Sequence, residues 1–349
     1  MEKIISTKIV LAGMTTPELE EFMVENNEPK FRAKQLHYWL YRKPVVDFEE
    51  MTNLSKEFRK KLKDIAVITS TKIREKLVGK DGTIKYLLEY PDGNVVETVL
   101  MSYEKRPNLT ACLSTQIGCL MGCVFCATGK NKFIRNLTAR EIVEQVMIIQ
   151  KDTGSTITNL VFMGQGEPLL NYDETVNAIK IINSELEIGM RHITVSTCGI
   201  VPNIYRLAEV NRQLNLAISL HAPDHELRKQ LMPVENKYNI DEVIKALKFF
   251  IKQTRRRITI EYILIGGIND DIKYAKQLNI LLKDLKYNIN LIPYNPVQGC
   301  SFKKPSRESI NKFREILEQV NKKVTVRLER GTDIAAACGQ LAGIITNAT

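Results

Sequence analysis

Nowhere in the 349 residues do eighteen apolar side chains run together, and a helix that crosses a bilayer needs about that many. The opening residues, Met1-Glu2-Lys3-Ile4-Ile5-Ser6, lack the basic patch and unbroken apolar stretch of an export signal. These two absences lead us to expect a cytoplasmic protein with no membrane partner. Cysteine is present but not in the pattern of a disulfide framework: there are seven, and three fall within eight residues. In a reducing compartment such crowding points to a metal or a cluster.

What is there in quantity is apolar surface, 44% of the residues, against 26% charged. That balance excludes extended disorder. The length exceeds one average domain, so one large domain with a smaller appendage is expected, with a core that needs no metal or disulfide to hold it. Fifty basic against forty acidic side chains give +10, a lean toward a polyanionic partner. The excess is concentrated late in the chain: residues 301–330 carry 9 basic and 4 acidic side chains. Composition gives no basis for an oligomer, and a monomer is the default.

Residues 1–64 read as helices. Thr16-Pro17-Glu18 offers a cap with proline at the first helical position, and helical stretches follow at Phe31–Tyr41 and Leu54–Leu62. The aromatics Phe31, Tyr38, Trp39, Phe48 and Phe58 are expected to fill a small helical core. From 65 to 111 the period becomes strand-like, with Thr83–Tyr90 and Asn94–Met101 flanking the turn Pro91-Asp92-Gly93. Beyond Cys112 short apolar runs alternate with helical stretches: Leu160–Met163, Ile193–Ser196, Leu216–Leu220, Ile258–Leu264, Ile289–Pro293 and Val324–Leu328 are the runs. Repeated βα units imply a parallel sheet with helices outside, and periodicity alone leaves an open sheet and a barrel equally available. The division is therefore 1–64, helical; 65–111, a β-rich linker; and 112–349, an α/β domain.

The central feature is Cys119-Leu120-Met121-Gly122-Cys123-Val124-Phe125-Cys126. Thiolates suit iron–sulphur clusters or zinc, and three this close can converge on one centre. The spacing matches neither a zinc finger nor a ferredoxin. Three ligands on a four-iron cluster leave one iron open, as a catalytic metal keeps a vacant position, and the amine and carboxylate of S-adenosylmethionine (SAM) form a chelate suited to it. A structural zinc site, or a closed electron-transfer cluster with Cys112 as fourth ligand, uses the same cysteines. Gly166-Glu167 follows the strand Leu160–Met163, where a βα barrel places its active-site face. Glycine there admits close backbone approach to a ligand and glutamate accepts hydrogen bonds from an ammonium. Cys198 and Cys300 read as small buried hydrophobes, and His37, His192 and His225 as structural or surface residues.

With these motifs on the page the chain resembles the radical SAM superfamily. It is similar in particular to the dual-specificity ribosomal and transfer RNA adenine-C2 methyltransferases. The resemblance spans nearly the whole chain and rests on Cys112, Gln116-Ile117-Gly118-Cys119, Arg135-Asn136-Leu137-Thr138, Gly164-Gln165-Gly166-Glu167-Pro168, Ser219-Leu220-His221-Ala222-Pro223, Asn290-Leu291-Ile292-Pro293-Tyr294-Asn295-Pro296 and Ala336-Ala337-Cys338-Gly339-Gln340-Leu341. It implies an α/β fold, a partial (β/α)6 barrel of radical SAM type with a small helical N-terminal domain and a short β linker. It also implies a [4Fe-4S] cluster on Cys119, Cys123 and Cys126. Gly166 and Glu167 would hold the SAM amine, while Ser196, Ser219, Leu220, His221 and Asn295 contact its ribose and methionyl groups.

The resemblance further implies a route. Cys338 takes a methyl group from one SAM as a thiolate. A second SAM, cut reductively, gives a radical that abstracts hydrogen from the S-methyl group, and the methylene radical adds to adenine C2. Glu97 accepts the C2 proton, and Cys112 releases the product by forming a transient disulfide with Cys338. The implied substrates are 23S rRNA and tRNA, at the adenosine 3′ of the anticodon, with an electron donor of flavodoxin or ferredoxin type. The related adenine-C8 methyltransferases, which protect ribosomes from antibiotics, share the cluster and both catalytic cysteines; Pro168 and Arg330-Gly331 before Thr332-Asp333 favour C2. Candidate phosphate contacts are Arg255-Arg256-Arg257, Lys303-Lys304, and Arg327 with Arg330. The target base must leave its stack to be reached, and the N-terminal helices are expected to read RNA shape.

Overall fold

A computed structural model describes residues 8–103, 106–320 and 323–342; Met1–Ser6, read above for export, lie outside them. Strand β1 (Ile9–Val10) and the later β2 (Ala66–Val67) pair in parallel. Between them in sequence lie the helices α1 (Thr16–Glu25), α2 (Arg32–His37) and α3 (Lys56–Ile65). Helix α1 starts one residue earlier than expected because Thr15, not Thr16, is the cap. The Thr15 hydroxyl accepts from the Glu18 amide, and the Glu18 carboxylate accepts from the Thr15 amide at 2.7 Å, a capping box. Helix α2 continues as a π turn through Arg42.

Trp39, Phe48 and Phe58 are buried in this unit as expected, together with Phe22 and Tyr41, but Phe31 and Tyr38 are 60% and 45% exposed. Seven residues apart, those two share the helix face opposite Ala33, Leu36 and Leu40, which are fully buried. The expected core therefore loses two of its five aromatics.

An antiparallel meander follows, β3 (Lys72–Val78), β4 (Ile84–Glu89), β5 (Val95–Tyr103) and β6 (Arg106–Cys112). The turn at Pro91-Asp92-Gly93 joins β4 to β5, with the Asp92 carboxylate accepting the Asn94 amide at 3.0 Å. A small antiparallel pair, β7 (Gln116–Ile117) and β8 (Arg135–Asn136), brackets the cysteine loop. The remaining chain alternates α4 (Ala139–Thr153), β9 (Asn159–Phe162), α5 (Tyr172–Glu185), β10 (Ile193–Thr197), α6 (Val201–Val210) and β11 (Asn215–Ser219). It continues with α7 (His225–Leu231), α8 (Ile240–Thr254), β12 (Ile258–Leu264), α9 (Ile272–Leu282), β13 (Tyr287–Pro293), α10 (Arg307–Glu318) and β14 (Val324–Val326).

One ten-stranded sheet results, in the order β14-β13-β12-β11-β10-β9-β6-β5-β4-β3. From β6 to β14 every pairing is parallel. Six βα units, counted from β6, thus make a partial barrel, and among the described residues β14 and β3 are its two free edges. Strand β6 is the seam, antiparallel to β5 and parallel to β9. The inner strands are near-continuous apolar runs because both faces are covered, as in Ile258–Leu264, where six of seven residues are buried. Capping boxes start two of the flanking helices, Thr138 with Glu141 and Asn239 with Glu242. No helix among the described residues is long and apolar enough to cross a membrane.

Candidate active site

The cysteine loop leaves β7 and is shaped by Gly118. That residue has φ +74°, and a Cβ on it would stand 2.2 Å from the Lys132 carbonyl oxygen, so the returning chain packs directly on its backbone. The loop is then tied down by the Val124 amide donating to the Leu231 carbonyl at 3.1 Å and the Cys126 amide donating to the Cys123 carbonyl at 3.1 Å. Leu120 and Val124 point outward, while Cys119, Cys123 and Cys126 all line one chamber. Burial pushes the Cys119 thiol up to about 12 and holds those of Cys123 and Cys126 above their ordinary values as well. Cys126 has partial compensation, since its sulphur accepts hydrogen bonds from Gly129 and Thr128.

Around the same chamber stand Gly166, Glu167, Ser196, Ser219 and His221, all at C-terminal ends of strands, with Glu261 and Arg327. Glu167 is buried and already accepts two backbone amides, from Leu169 at 2.9 Å and Cys198 at 2.8 Å. Burial raises its pKa, and a carboxylate with two bonds retains lone pairs for a further donor. Gly166, which lines the chamber, is also constrained by packing. At φ +96° a Cβ there would meet the Gln116 side chain at 2.5 Å, so glycine is required by packing against β7. Gln116 in turn accepts the Glu167 amide at 2.8 Å and donates to Asn136 at 2.9 Å.

His221 adopts φ +60°. Its Nδ1 accepts the Ile263 amide at 3.0 Å, so the ring proton resides on Nε2. Burial, then Arg228, pushes its pKa down to about 3, which keeps the ring neutral. Leu220 is fully buried and donates its amide to the Glu261 carbonyl; its side chain is not part of the chamber wall. Asn295 lines the neighbouring chamber instead. Its amide donates to the Cys338 carbonyl at 3.1 Å, while its Oδ1 is buried without a partner.

That second chamber, about 480 Å³, contains Cys112, Val99, Tyr103, Arg330 and Ala336. Cys112 ends β6 and its thiol is pushed up to about 12 by burial and then by Cys338. Four residues belong to both chambers: Met163, Ile292, Arg327 and Cys338. Arg327, read from sequence as a phosphate contact, is turned inward. Its Nη1 lies 3.7 Å from Cys338 Sγ, 3.6 Å from Met163 Sδ and 3.8 Å from Glu261 Oε2. Sequence reading missed this cation and Glu261, whose Oε2 is buried without a hydrogen bond and whose pKa burial raises. An acidic residue in the middle of an apolar run was the available signal.

Glu97 is not brought into either chamber. It faces a third cavity beside Lys85, whose Nζ is 2.8 Å from its carboxylate, and it also accepts the Ala342 amide at 2.6 Å. All seven cysteines are unpaired. Of the remaining histidines, His37 meets Glu185 at 3.0 Å and His225 meets Glu235 at 2.8 Å, both structural. Cys198 is buried as expected, and Cys300 is half-buried.

Among the described residues no three His, Cys, Asp or Glu side chains gather tightly enough to hold a single metal ion. A four-iron cluster asks for something else, since each thiolate binds a different iron and the sulphurs stand well apart. Three thiols lining one chamber supply the soft ligands such a centre takes. Glu261 Oε2, which lines this chamber without a hydrogen bond, suits a ligand that carries N–H or O–H groups. The cysteine chamber measures about 160 Å³, below the roughly 300–1,000 Å³ of sites for drug-sized ligands. The Cys338 segment forms part of its wall. That segment is held by the Ala127 amide on the Gly339 carbonyl at 2.8 Å, the Thr128 hydroxyl on the Leu341 carbonyl at 2.6 Å and the Gln340 amide on the Pro296 carbonyl at 2.9 Å.

Comparison with known proteins agrees with this geometry. Residues 113–278 match the radical SAM superfamily, and residues 9–68 match the ribosomal RNA large subunit methyltransferase N-terminal domain. The chain is 52% identical over 337 residues to the probable dual-specificity RNA methyltransferase RlmN of Alkaliphilus oremlandii, covering 96% of this chain and 97% of that one. It is 48% identical to the corresponding protein of Clostridioides difficile, covering 96% and 97%. A crystal structure of a radical SAM methyltransferase from Sphaerobacter thermophilus superposes with a TM-score of 0.92 at 43% identity, covering 96% of this chain and all of that one.

Proposed function

Because the chain belongs to the RlmN-type dual-specificity RNA methyltransferases of the radical SAM superfamily, we propose that it methylates C2 of an adenosine in 23S rRNA, and of the adenosine 3′ of the anticodon in tRNA, through a methyl carried on Cys338. It is an enzyme that uses SAM and an iron–sulphur centre. In our reading that centre is a [4Fe-4S] cluster held by Cys119, Cys123 and Cys126, and with SAM bound the pair supplies one-electron cleavage of a carbon–sulphur bond.

The observation that supports the reading is the position of Cys338 in the wall between the two chambers. From there one sulphur faces both the residues assigned to SAM and the cavity that holds Cys112. Arg327 places a cation beside it, a partner for a thiolate nucleophile. Glu167, Ser196, Ser219 and neutral His221 offer acceptors and an Nε2–H donor to SAM; Leu220 offers backbone, Gly166 gives close packing, and Asn295 positions the Cys338 carbonyl. Cys112 resolves the covalent product through a transient disulfide. Glu97 is the proton acceptor, which it becomes once the Ala342 amide and its segment withdraw. Residues 1–64 recognise RNA, 65–111 link, and 112–349 catalyse. The protein works in the cytoplasm as a monomer, with a flavodoxin or ferredoxin as reductant.

Peptide mass spectrometry of cluster-loaded protein given SAM anaerobically tests this. An added methyl on Cys338, and 2-methyladenosine in digested rRNA, are expected. An unmodified Cys338 under turnover refutes the carrier role, and 8-methyladenosine as sole product refutes the C2 assignment.

A further inference from the structure

The end of the barrel away from the cysteines carries a second charged feature. Arg255, Arg256, Arg257 and Lys286 surround a cleft of about 440 Å³ whose other walls are Thr194, Asn215, Thr259 and Asn288. No acidic side chain lines it. Arg255 caps the C-terminus of α8 in the left-handed region, φ +59° and ψ 12°. Glycine is the inexpensive residue there, and a side chain costs about 1 kcal/mol. The position carries a cation all the same. The helix dipole accounts for one positive charge at this end, which Lys252 in the last turn already supplies.

The other groups are aimed rather than loose. Arg256 donates to the Asn215 side chain at 2.5 Å, Arg257 to that of Asn288 at 3.0 Å, and Lys286 to the Arg255 carbonyl at 3.4 Å. Arg256 Nε is buried with no acceptor. Four like charges held together in this way repel one another until an anion neutralises them. Guanidinium forks match phosphate oxygens in two-point contacts. The lining has no aromatic ring on which a base could stack, so the cleft suits a sugar–phosphate chain and not a nucleotide read by its base.

We propose that this cleft is a second RNA contact, binding the phosphodiester backbone of a long substrate far from its target adenosine. The proposal rests on the reading that RNA is the substrate. Strand β12 connects the two places: Thr259 lies at the cleft and Ile263 in the catalytic chamber, about 13 Å apart along the strand. A short stem-loop that delivers its adenosine to the catalytic face does not reach around to the opposite one, whereas a ribosomal RNA domain does. The cleft thus favours the large substrate over a minimal one. An acidic electron-donor protein is the less suitable occupant, because it would dock at the end remote from the three cysteines.

The test combines Arg255→Gly, Arg256→Gln and Arg257→Gln, which remove three charges while leaving amide donors for Asn215 and Asn288. Binding of a domain-length 23S transcript and of a hairpin holding only the target adenosine is measured over a range of salt. For the transcript, affinity should fall about tenfold or more and the slope of log K against log salt should flatten by roughly two to three. Hairpin affinity and hairpin methylation should be unchanged, which also certifies the fold. Equal losses on both RNAs, or no loss on the transcript, overturn the proposal. Unaltered RNA affinity with slower reduction by an acidic flavoprotein assigns the cleft to that protein instead, and also overturns it. Failure of the unsubstituted enzyme to methylate either RNA counts against the functional reading alone, since the binding comparison needs no turnover.

Discussion

Replacing Arg228 by methionine tests how the SAM chamber is held in shape. Arg228 and Glu235 are an ion pair whose side chains are both 0% exposed. The guanidinium also donates to the Cys198 carbonyl at 2.6 Å and to the Tyr238 carbonyl at 3.3 Å. Glu235 accepts the Ile240 amide and meets His225, both at 2.8 Å. Arg228→Met leaves a carboxylate buried without its counter-charge, a change that costs about 3–5 kcal/mol. Replacing both partners with apolar residues of similar volume removes the unpaired charge, and such double replacements range from neutral to stabilising in known cases.

The pair therefore makes two separable predictions. In urea unfolding, Arg228→Met should lose several kcal/mol, and the double variant with Glu235→Met should recover most of it. SAM affinity should not recover. The bond to the Cys198 carbonyl holds the residue whose amide binds Glu167 at 2.8 Å, and the double variant lacks it. A loss of one hydrogen bond to charge is worth roughly 1.5–3 kcal/mol, about a ten- to hundredfold weaker Kd for SAM. If the double variant regains both stability and SAM affinity, the chain of contacts from Glu235 through Arg228 and Cys198 to Glu167 is not what shapes the chamber.

Two further outcomes are expected. His221, with a folded pKa near 3 against 6.5 for the free side chain, is neutral in the fold while the unfolded chain takes up a proton below 6.5. Its contribution is complete above pH 6.5 and is lost as the pH falls toward 3, about 2 kcal/mol of it by pH 5; His221→Gln should flatten that part of the urea midpoint against pH, and an unaltered profile would show that another group titrates. Gly118→Ala places a methyl group 2.2 Å from the Lys132 carbonyl; iron and sulphide content after anaerobic reconstitution should drop sharply, and full loading would show that the loop tolerates the displacement.

Much of the architecture could be read in advance because local chemistry and global fold agree. The capping boxes at Thr138 and Asn239, the Pro91-Asp92-Gly93 turn and the apolar run Ile258–Leu264 each specify their own element. Strand β3 was not legible: Lys72–Val78 mixes charges with apolar residues and is exposed over most of its length, as suits a sheet edge. The strand expected over Val324–Leu328 stops at Val326, since Arg327 turns into the active site and Leu328 is 80% exposed. The cysteine chamber was legible from spacing. The partner of Cys338 was not, because Arg327, just past β14, and Glu261 on β12, which it also meets, are far apart in sequence, and nothing local distinguishes an inward arginine from a solvated one.

Because Met163, Ile292, Arg327 and Cys338 line both cavities, neither cavity can be reshaped at that boundary without reshaping its neighbour. A substitution at any of the four is therefore felt on both sides at once, and of the seven cysteines Cys338 is the one whose surroundings answer to both.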